Sequence, residues 1–238
     1  MNQVAPTLRR WLALLRRTPL HPQWLLGKSR VPPGLAHAKG TVLDIGAADR
    51  WIERHLPREV RYIALDYPST GRDLYDARPD LFADGAHLPL ADASCDGVIC
   101  LEVLEHVSAP AEVTFEIARV LKPGGRAWLS MPFLYPLHDP PFDFQRYTEY
   151  GLRRDLVAAG LTVCRLQKAD HALRTAGLLV CLALAGGATT QRGWWRWLLL
   201  PLAGLPILAV NVLFWLTSLV WPDWSHMTTG HTLEVTKA

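Results

Sequence analysis

The sequence predicts an α/β protein built on a parallel sheet, and three features carry that prediction. In Thr41–Arg50, T-V-L-D-I-G-A-A-D-R, an apolar strand runs straight into a small-residue turn. Gly97–Leu101, G-V-I-C-L, is a fully apolar strand of the kind covered on both faces by helices. Between them and beyond, strand-like and helix-like segments alternate, which implies right-handed crossovers.

Taken in order, residues 6–17 carry Leu8, Trp11, Leu12 and Leu15 at spacings of three and four. Arg9, Arg10, Arg16 and Arg17 fall mostly elsewhere on the wheel. This basic amphipathic helix either packs its stripe on the domain or lies on an anionic membrane surface. Residues 18–40 are proline-bearing and aperiodic, a linker or cover segment. Strand one is Thr41–Ile45. Asp44 at its carboxyl end is costly to bury unless something pairs with it. Gly46 is the residue that needs a backbone conformation closed to side chains, or close approach by a ligand. A helix is expected from about Arg50 to Leu56, ending before Pro57.

Arg61–Leu65 is strand two, and Asp66 ends it. An acid there, twenty residues past Gly46, is placed to accept hydrogen bonds from ribose hydroxyls. Leu81–Ala83 is a short third strand, followed by Asp84-Gly85-Ala86, and Gly97–Leu101 is the fourth. Ala111–Leu121 is a helix with Val113, Ile117, Val120 and Leu121 on one face, stopped by Lys122-Pro123-Gly124-Gly125. Arg126–Met131 is strand five. Thr148–Ala159 is a helix capped by Thr148, Leu161–Leu166 is strand six, and Thr232–Thr236 has strand character.

Pro132–Tyr147 is a long loop, P-F-L-Y-P-L-H-D-P-P-F-D-F-Q-R-Y. Its length, and the presence of His138, Asp139 and Asp143, mark it as functional rather than idle. In open α/β sheets the strand-end edge it lies on is the ligand side.

At 238 residues, half of them apolar, the chain fits one large domain, or one domain with an insertion. A net charge of +3 does not argue for nucleic acid, and no such partner is expected. The four cysteines (Cys95, Cys100, Cys164, Cys181) form no C-x-x-C pair, so buried free thiols and a reducing compartment are expected, and no metal site is read.

The order D-I-G, L-D, A-D-G-A-H-L-P-L-A-D-A-S-C-D-G-V-I-C-L-E-V-L-E-H-V and R-V-L-K-P-G-G resembles the class I S-adenosylmethionine-dependent methyltransferases over residues 40–166, resuming at 231–237. Within that family it is most similar to the methyltransferases found beside polysaccharide and lipid-biosynthesis enzymes, which carry a loop like P-F-L-Y-P-x-H-D-x-P-x-D-F-x-R-Y. The resemblance implies a Rossmann-like seven-stranded sheet, six strands parallel and the last antiparallel, inserted between strands five and six. It implies S-adenosylmethionine as cofactor, with Asp44, Gly46 and Ala47 against its methionine part. Asp66, with Tyr67 beside it, would lie at the ribose, Asp84, Gly85 and Ala86 at the adenine, and Leu101 and Glu102 beneath. Glu105 and His106 match family positions that are often structural, with a catalytic role for His106 as the lesser alternative.

One departure stands out: the family's D-x-G-x-G-x-G reads Gly46-Ala47-Ala48-Asp49-Arg50 here. Either the loop takes another route or cofactor affinity is weakened. A scaffold that kept the fold and lost the cofactor is the alternative to an enzyme. A dinucleotide-dependent oxidoreductase is disfavoured because G-x-G-x-x-G is missing after strand one.

For methyl transfer, positioning donor and acceptor supplies most of the effect. A hydroxyl acceptor profits from a base, for which His138, Asp139, Asp143 and then Tyr147 are the candidates, His138 first because histidine titrates near neutral pH.

Between strand six and the last strand lie apolar residues that the core fold does not need. Thr175–Gln191 and Leu198–Pro222 carry no charge, and Trp194, Trp195, Trp197, Trp221 and Trp224 flank the second stretch. The second stretch is long enough to cross a bilayer, while the first is marginal. Since both flanking strands belong to one sheet, the crossings must number zero or two. Two crossings would put Arg192 and Arg196 on the far side, against the positive-inside tendency, and Pro201 and Pro206 would break the start of the second helix.

A helical hairpin in the cytoplasmic leaflet is therefore expected, or else helices packed on the domain or in a homodimer interface. The expected domains are residues 1–39, 40–169 with 231–238, and the insertion 170–230. The expected acceptor is a small-molecule, lipid-linked, polyprenyl or saccharide one.

Overall fold

The computed structural model describes residues 15–27, 31–68, 78–191 and 193–238, without the side chains of residues 196 and 197. The expected helix at 6–17 lies outside the described residues but for its last three, as does Arg192. The chain divides into two compact units. One comprises Arg30–Phe133, Leu137–Ala169 and Gly230–Ala238; the other comprises Met1–Ser29, Leu134–Pro136 and Asp170–Thr229.

The first unit is a seven-stranded sheet made of β1 (Thr41–Ile45), β2 (Arg61–Asp66), β3 (Leu81–Phe82), β4 (Cys95–Leu101), β5 (Leu121–Pro132), β6 (Leu161–Lys168) and β7 (Gly230–Lys237). Among the described residues two α-helices belong to it, α1 (Pro110–Val120) and α2 (Glu149–Ala158). The strand order is β3-β2-β1-β4-β5-β7-β6. β7 runs antiparallel to β5 and to β6, and the other six strands share one direction.

The unbroken apolar runs of the central strands follow from cover on both faces. Val42, Ile99 and Trp128 point into one buried cluster with Leu35 and Ile52. Their neighbours Leu43, Val98, Cys100, Ala127 and Leu129 point into the other, with Ile117 and Leu152. Leu35 is fully buried and the Trp128 indole donates to the carbonyl of Pro33 at 3.1 Å, so residues 31–38 of the proline-bearing segment are a cover over this sheet face.

Three expectations are corrected. The helix at 50–56 is only one 3-10 turn, Glu53–His55, because Arg50 has φ +59°, outside the helical region. β5 begins at Leu121 rather than Arg126. Leu121 pairs with Cys95 and pairing resumes at Arg126 opposite Gly97, so Lys122–Gly125 form an irregularity within the strand. Pro201 and Pro206 do not break the second apolar helix, which runs through both of them. α2 is capped as expected, its Thr148 hydroxyl accepting from the Gly151 amide at 3.2 Å.

The second unit holds α3 (Ala172–Thr190) and α4 (Trp195–Val220), packed on each other. Gly177 permits that approach, since a Cβ there would lie 2.7 Å from Phe214. Buried Asn211 on α4 donates to the carbonyls of Pro19 at 2.6 Å and His21 at 3.0 Å. The entry and exit of the insertion are clasped together. The Asp170 amide donates to the Thr228 hydroxyl at 3.2 Å, and the Thr229 hydroxyl donates to the Asp170 carboxylate at 2.6 Å. Ala172–Thr190 and Leu198–Val220 are each long and apolar enough to cross a membrane, and only 11% of the second window is buried within the protein.

Candidate functional site

The strand order reverses between β1 and β4, the switch point where open α/β sheets take their ligands beyond the carboxyl ends of the strands. Because β1 to β4 run parallel, the residues that follow them lie along one edge: Gly46 after β1, Asp66 at the end of β2, Asp84 after β3 and Glu102 after β4.

The turn after β1 is held to the end of β2. The amides of Gly46 and Ala47 donate to the Leu65 carbonyl at 2.9 and 3.0 Å, and the Ala48 amide donates to Asp66 Oδ2 at 2.9 Å. Gly46 (φ +75°), Ala48 (φ +44°) and Arg50 (φ +59°) are all left-handed. Those are the three positions that hold glycine in D-x-G-x-G-x-G. The backbone therefore keeps a glycine-type route although two glycines are gone, at a cost of roughly 1–2 kcal/mol per substituted position. At Gly46 nothing else fits, since a Cβ would lie 2.4 Å from a Val103 methyl. Arg50 is anchored by Glu53 at 3.0 Å and Asp80 at 3.1 Å, with its guanidinium 5.1 Å from the centre of the Tyr62 ring.

Asp44 is buried behind this turn and accepts the Tyr62 hydroxyl at 2.5 Å. Burial pushes its carboxyl up to about 7, the Asp66 charge adding to the rise and the Tyr62 hydrogen bond opposing it. Asp66 is also buried. Its second oxygen accepts the amide of Tyr67 at 2.8 Å, and burial raises its pKa against the two amide bonds. The Tyr67 side chain is exposed.

Asp84 makes a local turn, accepting the Ala86 amide at 2.9 Å, and its side chain is 45% exposed. A Cβ on Gly85 would lie 3.3 Å from Ile45, so the turn packs closely on β1. Leu101 ends β4 half-buried. Glu102 has φ +54°, and its amide is shared between the carbonyl and hydroxyl of Ser130. Glu102 is open to solvent, yet crowding by the protein raises its carboxyl pKa, as on the floor of a concavity.

The loop between β5 and α2 folds back over the turn that follows β4. The Phe144 amide donates to the Glu105 carbonyl at 2.8 Å, and the Gln145 side chain donates to the carbonyls of Val107 at 2.7 Å and Leu104. Arg146 grips Asp143 with both terminal nitrogens and holds its carboxyl down at about 2. Asp143 in turn accepts the His138 amide at 2.8 Å and lies 3.2 Å from His138 Nδ1. Arg146 Nη2 lies 3.3 Å from the same Nδ1.

The His138 ring meets the His106 ring edge-on, with centroids 4.8 Å apart. Beneath both lies Glu105, fully buried, with neither carboxylate oxygen hydrogen-bonded. Burial, reinforced by the Glu102 charge, pushes Glu105 up to about 9.

Of the loop candidates, His138 and Asp143 are therefore brought together. Asp139 is a turn residue whose carbonyl accepts the Phe142 amide at 3.1 Å. Tyr147 donates to Asp155 at 2.6 Å and braces α2. Sequence reasoning assigned Glu105 and His106 a structural place and gave Arg146 no role. The signal that marks them is E-V-L-E-H at the end of a central strand, joined to a histidine in the loop after the next strand.

Residues 43–129 match the methyltransferase domain family. That match lies within the α/β unit, whose seven-stranded sheet with one antiparallel strand is the Rossmann-like methyltransferase fold. The cofactor that the similarity implies is S-adenosylmethionine. The residues present fit that molecule. Each Asp66 oxygen keeps a lone pair beyond its one amide bond, and Asp84 offers an open carboxylate, so the edge presents acceptors to hydroxyl and amino donors.

An uncharacterized methyltransferase of Mycobacterium bovis is 34% identical over 114 residues, 45% of this chain and 43% of the relative. One of Mycobacteroides abscessus is 36% identical over 107 residues, 41% of each chain. The chain thus matches less than half the length of these relatives. Among solved structures, a putative sarcosine dimethylglycine methyltransferase from Galdieria sulphuraria superposes with TM-score 0.52 at 15% identity, covering 98% of this chain and 86% of the other. The [4+2]-cyclase SpnF superposes with TM-score 0.52 at 16% identity, covering 96% and 80%. These two establish the shared fold, and the second shows that the fold serves more than one chemistry.

Proposed function

We propose that the protein is an S-adenosylmethionine-dependent methyltransferase acting at a membrane surface on a lipid-linked, polyprenyl or saccharide acceptor. The observation that carries the enzymatic reading is the clasp of the β1 turn on Asp66, which holds a carboxylate at the strand-end edge beside the switch point and supports its assignment to the ribose. Asp66 takes the ribose hydroxyls. Tyr67, Asp84, Gly85 and Ala86 line the adenine side, and Gly46 and Ala47, with Asp44 behind them, line the methionine side. Leu101 and Glu102 form the floor. When bound, the cofactor supplies a methyl group activated on a sulfonium.

The acceptor side is the loop over β4. There His138 meets the acceptor hydroxyl, with Asp143, kept ionised by Arg146, orienting the ring. For the membrane, support comes from α4, whose Leu198, Leu202, Leu205, Leu213, Leu216 and Leu219 are all exposed. An apolar hairpin clasped at its base can enter one leaflet and return without parting β6 from β7.

Calorimetric titration of S-adenosylmethionine into the full chain tests the first claim. Binding is expected, and its absence at about 1 mM cofactor would favour a catalytically silent scaffold. Mass spectrometry of membrane extracts with and without the protein, read for one added methyl, identifies the acceptor. If His138→Ala leaves turnover unchanged, the role of the loop is wrong.

A further inference from the structure

We propose that Glu105, His106 and His138 form a binding site for one divalent transition-metal ion. The first argument is the direction of the lone pairs. His106 Nδ1 lies 2.7 Å from the carbonyl of Phe142, which can only accept, so that nitrogen carries the hydrogen. The other nitrogen, Nε2, is then a bare lone pair, and it lies 3.8 Å from Glu105 Oε1.

His138 is placed similarly. Its Nδ1 lies 3.2 Å from Asp143 and 3.3 Å from Arg146 Nη2, and its Nε2 is 3.9 Å from the same Oε1. Both imidazoles thus have one nitrogen tied to fixed polar groups and the other directed toward one carboxylate oxygen. A backbone carbonyl or carboxylate behind the ring is the arrangement found behind metal-ligating histidines.

The second argument is Glu105 itself. Its side chain is fully buried and both oxygens lack a hydrogen-bond partner. A carboxyl so placed needs an occupant between it and the rings. One ligand atom from each of the three residues lies within 4.8 Å of the others. A tetrahedral ion with bonds of about 2.1 Å sets its donors about 3.4 Å apart, so the two Glu105–histidine separations of 3.8 and 3.9 Å need to close by about half an ångström, and the widest, within 4.8 Å, by up to about 1.4 Å. Two imidazole nitrogens and one carboxylate select zinc, cobalt, manganese or iron over magnesium or calcium. Three protein ligands leave the shell open for an oxygen of the acceptor, so that with the ion bound His138 would meet the acceptor through the ion and not as a free base. The use of the ion rests on the proposed function, but the existence of the site does not.

The test uses the full chain stripped with chelator and titrated with Co²⁺, followed by calorimetry and by the visible absorption of the bound ion. One equivalent is expected. Glu105→Gln, which keeps shape and loses charge, should weaken binding at least about tenfold. His138→Ala, at a partly exposed loop position, should do the same, and reads the same answer if Glu105→Gln disturbs folding. The site is refuted if the wild type takes up no stoichiometric Co²⁺, if both variants bind as the wild type does, or if Mg²⁺ binds more tightly than Co²⁺. The same metal-free protein is titrated with S-adenosylmethionine. Cofactor binding without Co²⁺ uptake overturns the ion site alone, whereas Co²⁺ uptake without cofactor binding supports it and overturns the proposed function alone.

Discussion

Asp44→Asn should make the protein more stable at pH 8 and change little at pH 4. Asp44 is 4% exposed, and burial pushes it from an ordinary 3.8 to about 7. Between those values the folded protein keeps a proton that the unfolded chain releases. The folded state therefore binds more protons, and stability falls as pH rises from about 4 to about 7 before levelling. Three pKa units at about 1.36 kcal/mol each set a ceiling of about 4 kcal/mol on the loss.

Asparagine does not titrate, and its carbonyl can still accept the Tyr62 hydroxyl that now lies 2.5 Å from Asp44 Oδ2. Urea unfolding of both proteins at a series of pH values gives the difference in stability, in which all other titrating groups cancel. That difference should grow in favour of asparagine through pH 4–7. A flat difference, or one that grows in favour of aspartate, would show that Asp44 is already charged and paired in the folded protein.

Three further outcomes follow from the same geometry. Ala48→Gly relieves a left-handed alanine at φ +44° and should raise stability by about 0.5–1 kcal/mol, net of glycine's greater unfolded freedom; a loss in the urea midpoint would contradict the glycine-type route. Asp66→Asn should weaken S-adenosylmethionine about tenfold or more by calorimetry, because charged acceptors make the stronger hydrogen bonds; unchanged affinity would remove Asp66 from the ribose. Leu205 and Leu219 are 75% and 57% exposed on α4, and charging both to glutamate should abolish flotation with anionic phospholipid vesicles, at about 2.5–3.5 kcal/mol per charge inserted; flotation equal to wild type would place the apolar face elsewhere.

The strands were legible because their cause is local. Val42, Leu43 and Ile45 read as buried on either face, and the β1 bounds follow from the sequence. The place of Asp66 at the end of β2 was legible from the strand pattern and its spacing from Gly46. What escaped depended on contacts far along the chain. Nothing near Arg50 announces φ +59°; its conformation is supported by Glu53, by Asp80 and by the ring of Tyr62. Pro201 and Pro206 obey the helix-breaking rule in isolation, but one missing amide bond at each was not enough to end a helix of such uniform apolar character. Glu105 and His106 are adjacent in sequence, whereas His138 reaches them only because Gln145 and Phe144 pin the loop to the turn after β4. No spacing rule anticipates that meeting.

The altered glycine loop bears on whether a cofactor-free scaffold remains a strong alternative. With alanine in place of glycine at position 48, the backbone would relax into a right-handed conformation unless contacts within the protein held it. Instead Ala48 and Arg50 both stay left-handed. Ala48 is held by its amide on Asp66, the same carboxylate assigned to the ribose. Arg50 is held by two ion pairs on the side of β2 that carries Tyr62, and so stabilises the turn from outside. The protein's own contacts thus keep the turn in its costly route and hold Asp66 at the strand-end edge, and the cofactor reading draws its support from that retained shape. The superposition on SpnF shows that the same architecture can carry another reaction, so the chemistry rests on the turn and Asp66 rather than on the fold.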